Sequence, residues 1–144
     1  MSRSVQVKGG QINYVQRVSV GPHVFPADEA ADVGGRDTGP DPYELLLSAL
    51  GSCVCITLRM YAERKGWPLE AVEVRLSYAR VHANDCADCD GEARWVDGVE
   101  VELFLTGNLT EIQRHRLLEI AERCPVHRTL AAPIPIQTQL ASSI

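Results

Sequence analysis

The chain has 144 residues, 45% of them hydrophobic, and a formal charge of −5. That length lets a single domain, residues 1–144, bury a core without disulfide or metal staples. The acidic balance argues against nucleic acid or an anionic membrane surface as partner. The opening residues MSRSVQVKGG lack an apolar signal segment, so the five cysteines are expected in a reducing cytoplasm. There, thiols serve catalysis, redox sensing or metal binding more often than cross-linking.

Residues 4–8 alternate weakly and precede Gly9-Gly10, a hairpin signal. A second strand is predicted over Ile12–Val20, and a third over His23–Phe25, closed by Pro26. The stretch DEAADVGGRDTGPD, residues 28–41, reads as a Gly/Asp/Pro loop of a length that invites a functional role, and it contains Arg36.

The run PDPYELLLSALGSCVCITLRMYAER, residues 40–64, predicts the central helix. Asp41 is a good N-cap, Pro42 fits the first helical position, and Lys65-Gly66 supplies a basic last turn and a stop. Between Leu45 and Met60 the one charged residue is Arg59, so the helix is expected to be buried all round. Ser48, Ser52 and Thr57 dilute it below a membrane span.

Beyond it, Leu69–His82 alternates, with Val72, Val74, Leu76 and Tyr78 on one face. The turn ANDCADCDG follows, and Arg94–Thr106 resumes the alternation, with Gly98 marking a bulge or a short turn. Thr110 is predicted to cap a helix running to about Arg123, ahead of Cys124-Pro125, and Pro133–Leu140 alternates as a last strand. The order of strands, long helix, strand pair, helix and strand predicts an α+β class.

Several residues could carry chemistry. Cys53 lies mid-helix, where a cysteine is often only a small apolar side chain. Cys124 ends a helix ahead of a proline, which fixes the angle of its thiol. Cys55 is about 200° round the helix from Cys53 and reads as core. Glu44 can simply complement the helix dipole. It sits nine positions before Cys53, about 900° of rotation, hence on the opposite face of a straight helix. The spacing of His82, Cys86 and Cys89 suggests a zinc or dithiol site, but zinc takes four ligands, and Cys124 and His127 could join only through the fold. His127 is a candidate proton carrier.

Glu44, Cys53 in GPDPYELLLSALGSC, and Cys124 in ERCPVH closely resemble the OsmC/Ohr family, the osmotically inducible protein C and organic hydroperoxide resistance proteins. The likeness runs from about His23 to Leu140. It implies an OsmC-like fold, with antiparallel sheets wrapped around long central helices in an intertwined homodimer, and a peroxidase that uses neither metal nor other cofactor. By position, Cys53 would be the peroxidatic cysteine, Cys124 the resolving cysteine, and Glu44 the carboxylate that holds an arginine beside the thiol. The arginine would be Arg36 or, alternatively, Arg17. Implied partners are an organic hydroperoxide substrate and a small dithiol or thioredoxin-like reductant. Asp41-Pro42 in place of Asn-Pro, and the Cys86/Cys89 pair, depart from the best-known members. They leave a rival reading, a non-enzymatic redox-sensing or metal-binding module built on His82, Cys86 and Cys89.

Overall fold

The computed structural model describes residues 3–82 and 95–141. The chain divides into two compact units, residues 1–48 and 49–144.

In the first unit, β1 (Gln6–Gly9), β2 (Gln16–Val20) and β3 (His23–Ala27) form an antiparallel sheet in that order. The turn between β1 and β2 is not made at Gly9-Gly10. It occupies residues 10–15, with Asn13 at φ 50°, so the second strand starts at Gln16, four residues after the predicted start at Ile12. Pro26 lies inside β3 rather than closing it, which is tolerated because β3 is an edge strand.

The loop after β3 is organised by Asp28, which is 2% exposed. Its Oδ1 accepts from the Glu29 N–H at 2.8 Å, and its Oδ2 accepts from the Thr38 hydroxyl at 2.6 Å, the Thr38 N–H at 3.1 Å and the Arg36 N–H at 3.3 Å. A side chain at Gly35 would collide with the Glu29 carbonyl, and one at Gly39 with the Pro26 carbonyl. These glycines therefore permit close backbone approach.

Helix α1 (Pro42–Lys65, 24 residues) begins in this unit and continues into the second. Its start is a reciprocal cap: Asp41 Oδ1 accepts from the Glu44 N–H at 2.8 Å, and Glu44 Oε1 accepts from the Asp41 N–H at 2.9 Å. Such a cap contributes about 1 kcal/mol. At its far end Gly66 adopts φ 70°, a left-handed stop.

In the second unit, β4 (Ala71–His82) and β5 (Trp95–Thr106) pair antiparallel in unbroken register, so Gly98, opposite Ala79, is not a bulge. Val72, Val74 and Leu76 face Leu105, Leu103 and Val101 across the ladder. On the other face Arg75 pairs with Glu73 and lies over the Phe104 ring. Leu50, Val54, Leu58, Tyr61 and Ala62 of α1 form the core with Leu117, Ile120 and Ala121 of α2 (Glu111–Ala121), against the apolar row of the sheet. Leu58 and Leu117 are fully buried, and truncating either to Ala costs about 2–5 kcal/mol. At Gly51 the missing side chain leaves room for Leu76.

Two arginines pin the element ends to carbonyls. Arg59 donates to Leu69 O at 2.6 Å and Glu70 O at 3.1 Å, and Arg114 donates to Leu105 O at 2.9 Å and Gly107 O at 3.0 Å. Thr110 and Gln113 form a capping box at the start of α2.

Four further expectations change, the first being that Ser48, Ser52 and Thr57 dilute α1 below a membrane span. Helix α1 is long and apolar enough by length and composition to cross a membrane. It is not buried all round, however: Ile56 is 59% and Met60 65% exposed, opposite the face packed in the core. A short helix α3 (Pro125–Leu130) follows Cys124 where none was predicted. Residues 133–140 are not a strand, because among the described residues they have no ladder partner.

The Asp28 hub generates a prediction. The Thr38 hydroxyl first, then, against the opposing effect of burial, the backbone N–H groups hold its carboxyl below the usual 3.8. The loop's stabilisation is therefore complete above about pH 3.8 and is lost as pH falls through the lowered folded value. Asp28→Ala should speed amide exchange of Arg36 and Thr38 about tenfold or more near neutral pH, as a local opening would. Unchanged exchange would show that the loop does not depend on Asp28.

Candidate functional site: a pair of thiols

Helix α1 presents Cys53 on the flank of its buried face, half-buried and packed against the core cluster. Cys124 is fully buried and is the N-cap of α3, its Sγ accepting the His127 N–H at 3.3 Å. The fixed φ of Pro125 suits the first turn of α3 and lets a thiol take the capping position that a hydroxyl or carboxylate usually fills. Cys53 packs against the core cluster that contains Cys124 and acts electrostatically on its thiol, and both thiols are free.

Burial, first of all, pushes the Cys124 thiol up. The His127 N–H draws it down, Cys53 raises it further both as hydrogen-bond partner and as charge, and the Val126 N–H lowers it. On the other side of Cys53, Thr57 Oγ1 lies 4.0 Å from Sγ. Ser48 bonds back to the helix carbonyl of Glu44 at 2.7 Å; Thr57 instead turns its hydroxyl to sulfur. The difference in burial orders the pair, because a reagent entering from solvent meets Cys53 before Cys124. A cleft of about 220 Å³ in the same unit is lined by Leu50, Val54, Val101, Leu118, Glu122 and His127, among others, and by neither thiol. Its walls suit an apolar group, with polar side chains to orient it.

The other predicted residues have the following partners within their own units. Glu44 spends Oε1 on the helix cap. Arg36 donates its backbone N–H to Asp28, and the Asn13 amide oxygen, in the orientation that satisfies both partners, accepts from its Nη2 at 3.0 Å and from its Nε. Among the described residues, no ion pair joins Arg36 to Glu44. Arg17 is on β2, opposite Lys8 and Pro26. Cys55 is half-buried and burial raises its thiol. Cys86, Cys89 and the side chain of His82 lie outside the described residues; among those described, no group of three His, Cys, Asp or Glu is placed to hold a metal.

Sequence reasoning missed Thr57 and the capping geometry of Cys124. The first was legible as an i,i+4 neighbour of Cys53. The second could have been read from a cysteine immediately before a proline at a helix start.

The chain matches the family described as OsmC-like protein over residues 35–139. No curated protein matches it. Among solved structures it is similar to an organic hydroperoxide resistance protein OsmC of Legionella pneumophila, at 18% identity and TM-score 0.66, covering 90% of this chain and 89% of that one. It is similar to the organic hydroperoxide resistance protein OhrB of Bacillus subtilis, at 17% identity and TM-score 0.62, covering 90% of each chain. An OsmC-like protein of Vibrio cholerae superposes with TM-score 0.69 at 12% identity, covering 90% of this chain and 93% of that one. The α+β fold of antiparallel sheets and one long helix is theirs, and the matched region includes both thiols: the chain belongs to the OsmC/Ohr family.

Proposed function

We propose that this protein is a cysteine-based peroxidase that reduces organic hydroperoxides. The observation that carries the reading is that a half-buried Cys53 packs on the same core cluster as a fully buried Cys124. Only a thiolate attacks an O–O bond. Cys53 takes the terminal oxygen of ROOH and becomes a sulfenic acid, and the alkoxide leaves as alcohol. Cys124 then displaces hydroxide from that sulfur and forms the disulfide, which stops further oxidation of Cys53. A dithiol or thioredoxin-like reductant returns both thiols, which suits a reducing cytoplasm. The apolar residues against which Cys53 packs favour an alkyl or lipid hydroperoxide over hydrogen peroxide.

Arg36 is our assignment for the cation that assists Cys53, with Arg17 as the alternative. Glu44 engages only Oε1 in its cap among the described residues, so Oε2 remains for a guanidinium. Pairing with Glu44 would require Arg36 to leave Asn13 by turning its side chain, while its backbone stays on Asp28.

We also propose a homodimer. Ile56 and Met60 form an uncovered apolar face on α1. The alternating stretch at 133–140 has no ladder partner among the described residues, and Ile134 and Ile136 are 50% and 83% exposed. Pro133 and Pro135 blunt one edge of that stretch and leave the other able to pair. A dimer would cover both features.

Cys53→Ser should abolish turnover of cumene hydroperoxide, whereas Cys124→Ser should react once and stall as a Cys53 sulfenic acid seen by mass spectrometry. Turnover by the Cys53→Ser protein would refute the assignment. Light scattering at micromolar concentration should give twice the 15.8 kDa chain mass, and a monomer would overturn the proposed assembly.

A further inference from the structure

Two proton-bearing groups flank Cys53: the Thr57 hydroxyl, 4.0 Å from its sulfur, and the Cys124 thiol of the core cluster against which Cys53 packs. Attack on a hydroperoxide leaves an alkoxide beside them, and an alkoxide is a poor leaving group until it is protonated. A thiol is a far stronger acid than an aliphatic hydroxyl, so of the two Cys124 is the competent donor. Being fully buried, it has no ready exchange with bulk water. Resting on the peroxidase reading above, we propose that Cys124 is the general acid of the first step as well as the resolving thiol of the second, so that giving up its proton is what arms it.

The steps balance. The Cys53 thiolate forms a bond to the terminal oxygen of ROOH, and the O–O bond breaks. The electron pair leaves on RO⁻, which takes the proton of Cys124 Sγ and departs as ROH. Cys53 is now a sulfenic acid and Cys124 a thiolate. The thiolate forms the S–S bond as hydroxide leaves. One hydroperoxide is reduced by two electrons, two sulfurs are oxidised, and a single negative charge persists throughout, moving from sulfur to oxygen to sulfur to hydroxide. No other acid is required.

The surroundings of Cys124 fit both stages. Before reaction, burial and the neighbouring Cys53 charge keep the Cys124 proton in place. Once Cys53 is a neutral sulfenic acid that opposing charge is gone, while the His127 N–H, at 3.3 Å, and the Val126 N–H remain to receive a thiolate. Cys53 on α1 is the titratable group acting on Cys124; the side chains of Glu122 and His127 line the neighbouring cleft.

The test separates the first step from the second. Full-length wild type, Cys124→Ala and Cys124→Ser are mixed with cumene hydroperoxide in single turnover, and loss of the free Cys53 thiol is followed by quench alkylation and tandem mass spectrometry. The expected result is a first step slowed about 10²-fold in both variants, the scale of general acid catalysis. The wild-type rate should fall again at alkaline pH as Cys124 loses its proton, and both variants should lack that alkaline limb. Matching circular dichroism and melting would exclude misfolding. Wild-type rates and profiles in both variants would overturn the proposal. So would a slow Ala variant beside an unimpaired Ser variant, since that result needs only a hydrogen bond. If Cys53 of the wild type does not react, the peroxidase reading itself fails, and this inference with it.

Discussion

Burial of one face of α1 holds the second unit together. Leu50, Val54, Leu58 and Ala62 recur at the spacing of a helix face and meet the apolar row of β4 and β5 on one side and Leu117, Ile120 and Ala121 of α2 on the other. Each buried leucine contributes about 1.5–3 kcal/mol, and close packing leaves the helix little freedom to rotate. The orientation of Cys53 follows. It stands one position before Val54, so fixing Val54 in the core fixes the thiol at the core's margin, half-covered and beside Cys124. Gly51 contributes by letting Leu76 close against the same helix.

The chemistry of the pair follows from unequal burial. Two thiols in identical surroundings would compete for the same role. Here one is reachable and the other, with no exposed surface, keeps its proton by desolvation and by the charge of its neighbour. In the proposed peroxidase, attack and resolution would be assigned by solvent access as much as by residue type. A cysteine at the N-cap of α3 serves this arrangement because the His127 N–H both caps the helix and anchors the sulfur.

The first unit stabilises its loop in a different way, with a polar hub in place of an apolar core. Asp28 gathers three backbone N–H groups and one hydroxyl, and a buried carboxylate is tolerable only when it is so fully satisfied. The result is a defined loop from which Arg36 projects to Asn13. The backbone at both Asn13 and Asp37 is left-handed, at φ 50° and 53°, a conformation that Asn and Asp tolerate better than most residues.

The sequence by itself determined the α+β class, the long helix from its Asp41 cap to its glycine stop, the two paired strands with their apolar faces, and Cys53 and Cys124 as the residues of interest. The elements are written in local signals, an unbroken apolar run between cap residues in α1 and period 2 in β4 and β5, whereas the two thiols stood out by resemblance to the OsmC/Ohr family. Tertiary structure decided what depends on partners distant in sequence. Thr38 and Asp28 meet across ten residues, Cys53 and Cys124 across seventy-one, and no periodicity encodes either contact. The stretch at 133–140 shows the converse. Its alternation is a correct local preference, but a strand exists only when another edge accepts its hydrogen bonds, and the described part of this chain offers none.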